Sequence, residues 1–226
     1  MKKALLSLAL LTGFAGAANA QSGVLKYGVK GGFSLSNYSG SEAGDTKYKP
    51  GFTAGLLLNY GFSDLISAQI EALYSQKGTL VENYRQASTS NPNTNFRSTV
   101  QYIDVPVLAK FTTGEDGKGL FFELGPQASF LVGIRDFTRP QGAGAGSPQE
   151  VQLNTNTDQL NKVAIGYVGG VGYQITSGLG LGVRYTGDFS NVYKDGVNPL
   201  PGVTTTNNFR NSVFQFQVHY LFGGKS

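Results

Sequence analysis

Eight times along this chain, apolar or small side chains fill every second position for about ten to fourteen residues. Strict alternation of this kind marks a strand with one apolar and one polar face. The first run carries Leu25, Tyr27, Val29, Phe33 and Leu35 on one side, with Lys26, Lys30 and Ser34 on the other. The third sets Ile66, Ile70 and Tyr74 against Gln69, Glu71 and Lys77. In the fourth, YIDVPVLAKF (102–111), Ile103, Val105, Val107, Ala109 and Phe111 oppose Asp104, Pro106 and Lys110. The fifth places Leu120, Phe122, Leu124 and Val132 opposite Glu123, Gln127, Ser129 and Arg135. The seventh places Leu181, Val183 and Tyr185 opposite Arg184 and Asp188. The eighth places Phe214, Phe216, Val218, Tyr220 and Phe222 opposite Gln215, Gln217 and His219.

The connections point to an architecture. Those after the second, fourth and sixth runs are short, at 63–64, 112–118 and 176–177. Those after the first, third, fifth and seventh are long and polar, at about 36–50, 79–98, 136–160 and 190–209. Alternating tight and long connections are what an up-and-down transmembrane barrel gives, with its two ends in different compartments. The fold expected is all-β: an eight-stranded antiparallel up-and-down transmembrane β-barrel.

A lipocalin-like barrel is the soluble alternative, with its apolar faces inward around a ligand. The pattern alone allows it. The tyrosines favour the membrane form: Tyr27, Tyr60, Tyr74, Tyr167, Tyr173, Tyr185 and Tyr220 lie on the apolar face, several near strand ends, where membrane girdles form. Composition agrees. Charged residues are 14% of the chain, against ~25% in soluble domains, and glycine is frequent at 32 residues. The mean hydropathy of −0.15 argues against a helical bundle more than a barrel, because barrel strands turn half their residues to a polar interior.

Residues 1–20 read as a cleaved signal peptide: basic Lys2 and Lys3, an apolar stretch from Ala4 to Gly13, and Ala18-Asn19-Ala20 before Gln21. The barrel domain is then 21–226. Without the two lysines the formal charge falls from +4 to +2, so a pI near 9.2 does not argue for a nucleic-acid partner. The chain has no cysteine, hence no disulfide framework and no lipoprotein acylation site. Pro106 and Pro126 withhold ladder donors on adjacent strands, which predicts a bulge or a locally broken ladder there.

Six stretches carry a resemblance: ALYSQKG (72–78), YIDVPVLAKF (102–111), FFELGPQASFLVG (121–133), GYVGGVGYQI (166–175), GVRYTGDFSNV (182–192) and NSVFQFQVHYLF (211–222). In this order and spacing they resemble the small outer-membrane β-barrel family, often labelled porin family protein, of Bacteroidota-type Gram-negative bacteria. The resemblance implies an eight-stranded barrel in the cell outer membrane, and the family carries no common enzymatic activity. The alternation Phe214, Phe216, Val218, Tyr220 and Phe222 is similar to the signal that the outer-membrane assembly machinery reads. Here Gly223-Gly224-Lys225-Ser226 follow the final aromatic, a departure from barrels that end on it.

The chemistry lies in the inward charges: Lys26, Lys30, Glu71, Lys77, Asp104, Lys110, Glu123, Arg135, Arg184 and Asp188. Counting from the short turns puts Glu71, Lys110 and Glu123 at similar depth, with Arg184 across from them. An eight-stranded barrel is just wide enough for side chains to fill. Buried charges must be paired, so these are expected to form an ionic network that closes the lumen. Small inward residues at Gly166, Gly170, Gly172, Gly180 and Gly182 would offset the bulk of Lys and Arg opposite, or alternatively leave a water-filled gap.

The competing functions are a narrow pore for ions or small solutes, a lipid-modifying enzyme, and surface recognition through the loops. An enzyme needs a nucleophile and base near the outer rim, and the single histidine, His219, sits on the last strand near the opposite end. No cofactor or metal motif occurs. The loop SNVYKDGVNPLPGVTTTNN (190–208), with Tyr193, Leu200 and Val203, is the candidate for gripping an extracellular partner. QGAGAGSPQE (141–150) and STSNPNTN (88–95) read as solvated loop. Outer-membrane lipid is the remaining partner implied.

Overall fold

The computed structural model describes residues 23–40, 46–84, 94–114, 118–140, 151–154, 156–175, 178–194 and 208–223. Ten strands lie among them: β1 (Val24–Ser39), β2 (Thr46–Lys47), β3 (Lys49–Gly61), β4 (Ile66–Tyr84), β5 (Thr94–Thr112), β6 (Gly119–Pro140), β7 (Val151–Asn154), β8 (Val163–Gln174), β9 (Leu179–Asp188) and β10 (Arg210–Phe222). Eight of them pair antiparallel in a ring, β1–β3–β4–β5–β6–β8–β9–β10, and β10 returns to β1. β2 and β7 are short additions along β4 and β6. Residues 1–20, expected to be a signal peptide, lie outside the described residues.

The ring answers a constraint of hydrocarbon, where an unpaired N–H or C=O has no water to turn to and a sheet must close on itself. Closure runs from Tyr27↔Phe222 to Ser39↔Arg210 without a register shift. β1 therefore begins, and β10 ends, at the end that holds the short turns.

Which way the faces point separates the two barrel types, and they point outward. Leu56, Leu124 and Phe216 are 64%, 65% and 53% exposed, whereas Glu71, Lys77 and Arg184 are at most 2% exposed. A continuous apolar wall with charge inside is the reverse of a lipocalin.

Two aromatic belts bracket the wall. At the short-turn end Tyr27 stacks on Phe222 at 5.6 Å, Tyr220 meets Phe222 at 4.8 Å, and Tyr60 meets Phe62 at 5.1 Å. Toward the other end Phe52 meets Tyr74 at 5.7 Å, Tyr185 meets Phe214 at 5.0 Å, and Tyr167 meets Phe189 at 5.2 Å. Rings with a polar tip belong at the water boundary of a bilayer, so the belts mark its two edges.

The prolines interrupt the ladder without shifting it. On β4–β5 pairing stops after Ile70↔Val107 and resumes at Leu73↔Asp104. On β5–β6 it stops after Ala109↔Leu124 and resumes at Pro106↔Gln127. The register is the same on both sides of each gap. The bulge of β5–β6 lies elsewhere, where Gln101 pairs Gly133 but Tyr102 pairs Leu131, leaving Val132 as the extra residue. Beyond it every side chain of β6 changes face.

The strands also run further than their alternation suggests. β4, β5 and β6 continue to Tyr84, back to Thr94, and to Pro140, through segments expected to be loop. Thr94 and Asn95 are strand, while the rest of 88–95 and all of 141–150 lie outside the described residues.

Candidate functional site in the barrel lumen

The lumen is built from inward positions of all eight ring strands, and its charges fall into layers. Counting up from the short-turn end, the main layer holds Lys30 on β1, Glu71 on β4, Glu123 on β6 and Arg184 on β9. The guanidinium of Arg184 crosses the barrel. Its Nη1 and Nη2 donate to Glu71 Oε2 and Oε1 at 2.8 and 2.9 Å, and its Nε donates to Glu123 Oε1 at 2.7 Å. Lys30 Nζ donates to Glu71 Oε1 at 2.5 Å and lies 4.0 Å from Glu123 Oε2. Gln69 is the third residue to donate to Glu71, through Nε2 at 2.6 Å. Two carboxylates and two cations balance, and the planar fork of arginine suits it to two acids at once.

Below this layer Lys110 turns away from the acids. Its backbone pairs with Glu123, but its ammonium sits 4.2 Å over the Phe121 ring and donates to Gln174 Oε1 at 3.1 Å. His219 Nε2 meets the same Gln174 Oε1 at 2.9 Å and packs edge-on to Phe121. The shared depth of Lys110 with Glu71 and Glu123 therefore does not become an ion pair: Arg184 and Lys30 are the cations that approach those carboxylates.

Above it Lys77 pairs with Asp104 at 3.0 Å, donates to Ser129 Oγ at 3.1 Å and lies over Tyr102 at 4.9 Å. Asp188 accepts from Asn211 Nδ2 at 2.9 Å. Lys26 faces inward at the short-turn mouth, half-buried, with no ion pair to another described residue.

Arg135 is not in the lumen. Beyond the Val132 bulge the inward residues of β6 are Ile134, Asp136 and Thr138, and Arg135 stands exposed on the outer wall. A single extra residue reverses a period of two. Gly133 beside the extra residue was the available signal, since glycine inside a strand often accompanies a bulge.

The inward glycines yield space to neighbours on adjoining strands rather than to long cations opposite. A Cβ on Gly170 would come within 2.8 Å of Glu123 Oε1, one on Gly172 within 2.3 Å of Phe121 Cζ, and one on Gly180 within 2.4 Å of His219 Cε1.

The long-loop end holds a feature absent from the alternation. Tyr38, Val100, Tyr102, Ile134, Leu160, Val192, Tyr193 and Phe209 form a buried apolar cluster. Asn161 ties its loop parts together, donating through Nδ2 to the carbonyls of Asn191 and Tyr193 at 2.8 and 3.1 Å. Val192 N donates to Phe209 O at 2.7 Å. Segments expected to be long, mainly polar loops thus supply Leu160, Val192, Tyr193 and Phe209 to a cap. Tyr193 is 5% exposed and faces the cap, away from any partner; Leu200 and Val203 lie outside the described residues. Burial pushes the Tyr38 hydroxyl up to about 12 despite its bond to Ser98, so it is neutral at any physiological pH.

Phe214, Phe216, Val218, Tyr220 and Phe222 all face outward on the strand that closes the ring. Among the described residues no group of three or more His, Cys, Asp or Glu side chains is placed to hold a metal.

Closed strands, an apolar wall between aromatic belts and a charged interior define an integral outer-membrane β-barrel. Residues 19–194 match the family described as outer membrane protein beta-barrel domain, and the chain belongs to that family. No curated protein matches it significantly. Among solved structures it is similar to Neisserial surface protein A (NspA), at 17% identity and a TM-score of 0.45, covering 87% of this chain and 97% of that one. It is also similar to Ail, the attachment invasion locus protein of Yersinia pestis, at 10% identity and a TM-score of 0.45, covering 87% and 98%. A third is the outer membrane protein OprG from Pseudomonas aeruginosa, at 11% identity and a TM-score of 0.38, covering 89% and 96%.

Proposed function

We propose that this protein is a non-enzymatic outer-membrane barrel with a closed lumen, serving a structural or surface-interaction role rather than solute passage. The observation that carries the reading is the Arg184 crossing: one side chain on β9 reaches a carboxylate on β4, across the ring, and another on β6, while Lys30 lies against the same acids. A solute would have to break buried, charge-assisted bonds whose partners would then be left unpaired, which is strongly unfavourable. The apolar cap of Tyr38, Tyr102, Leu160 and Phe209 closes the same path again nearer the long loops. His219 supports the non-enzymatic part, since its partners are Gln174 and the Phe121 ring rather than a nucleophile or carboxylate.

The test is single-channel recording of the purified barrel in planar bilayers at both polarities. The closed reading expects a baseline without reproducible steps. Stable conductance steps abolished by Arg184→Trp would replace it with the narrow pore.

A further inference from the structure

On the outer wall, the start of β3 together with β4, β5 and β6 encloses a depression of about 390 Å³ lined by Lys49, Arg97, Arg135 and Arg139 among its ten residues, none of which is acidic. We propose that it is a binding site for the phosphate-bearing headgroup of an outer-leaflet glycolipid. Three observations carry this beyond the lumen reading and independently of it.

Height is the first. On this wall the outward residues Tyr74, Ile103 and Val132 end the apolar band. The next outward rows are Gln76–Gln101–Gly133, then Gly78–Thr99–Arg135, then Leu80–Arg97–Phe137. Headgroup phosphates occupy that level beside a barrel, and the depression opens sideways toward them instead of into the lumen.

Charge is the second. The side chains of Arg135 and Arg139 make no ion pair or hydrogen bond to another described residue, and Arg135 is exposed. Arginine forks match phosphate oxygens two at a time, and basic pockets beside a bilayer take anionic headgroups. Burial and the neighbouring Arg97 push the Lys49 ammonium down to about 8, a cost that an anion in the depression would relieve.

Shape is the third. Phe137, Leu80 and Pro50 give the depression apolar surface, and Arg97 stands 5.4 Å over the Phe137 ring. A sugar ring with phosphates offers both an apolar face and anionic edges, whereas free phosphate would leave the apolar part unused. The volume lies within the range of small-ligand sites, roughly 300–1,000 Å³. The Val132 bulge makes the site, because without it Arg135, Phe137 and Arg139 would face inward.

The experiment uses the full barrel in nonionic micelles, with diphosphorylated lipid A as probe and native mass spectrometry as readout. Folding of each variant is checked by heat-modifiable migration on gels. Each charge-assisted contact removed should weaken binding about tenfold, so Arg135→Gln/Arg139→Gln should lose about a hundredfold. Arg210→Gln, exposed on the opposite wall, should bind as the parent does. Dephosphorylated lipid should bind poorly, and inorganic pyrophosphate should compete only at much higher concentration. Equal binding by the double variant, or by the dephosphorylated lipid, would overturn the proposal. Pyrophosphate competing as well as the lipid would do so too, since the site would then take soluble anions. The last two arms need no variant and do not depend on whether the lumen conducts.

Discussion

At the scale of single residues, the lumen shows why charge can be buried in so narrow a cylinder. Arg184, Glu71, Glu123 and Lys30 are each costly alone in a space from which water is excluded, and tolerable only as a set. Arg184→Ala leaves two carboxylates facing a single lysine. It should lower unfolding stability by about 3–5 kcal/mol, read from the urea midpoint in lipid vesicles. Asp136 makes a different point. It faces inward above the membrane band, and burial pushes its carboxyl from 3.8 up to about 6, only partly offset by a hydrogen bond from Ser98. A carboxyl raised by folding favours the protonated state. Its contribution is therefore full below about pH 4 and lost as the pH rises through about 6. Hydrogen-exchange protection around Ser98 and Phe137, corrected for the intrinsic exchange rate, should fall between about pH 4 and 6, and Asp136→Asn should flatten that dependence.

At the scale of elements, the sequence pattern reads well along each strand and fails at its interruptions. Alternation placed Lys30, Glu71, Lys77, Asp104, Glu123, Arg184 and Asp188 inward from residue types alone. It misplaced Arg135 because the bulge changes the phase of the strand, and its one trace in the sequence, Gly133, is a weak mark in a chain with many strand glycines. It also missed the strand extensions around Phe96 and Val100, where the outward partners are Asn95, Arg97 and Thr99 and the run looks polar overall. The absence of native cysteine makes the bulge easy to test with single-cysteine reporters. Arg135→Cys should label rapidly with a bulky maleimide, and Ile134→Cys should not. Deleting Val132 should exchange the two rates.

At the scale of the whole molecule, the organising force is the contrast between a hydrocarbon surround and a polar axis. The outer wall holds large apolar side chains at exposures that would drive aggregation in water, so its natural solvent is lipid. Val218 sits in the middle of the closing strand, opposite Gly31 and Leu181 and between the two belts. Val218→Arg should cost about 2–4 kcal/mol in bilayers, measured by denaturant unfolding, as expected for a cation at the midplane. The same substitution in detergent micelles, where the headgroup boundary is closer, should cost less. The cap at the long-loop end joins residues from β1, β5, β6 and three later segments, so it is a property of the closed molecule rather than of any loop.

The sequence by itself determined the number of strands in the ring, its antiparallel closure and the direction of nearly every side chain along them, because a period of two carries that information locally. Tertiary structure alone decided which charges meet, where β6 reverses its faces, and that Leu160, Val192, Tyr193 and Phe209 converge into a cap. The reason is physical. Facing follows from a residue's immediate neighbours, whereas pairing across a lumen depends on the relative heights of strands brought together only when β10 joins β1.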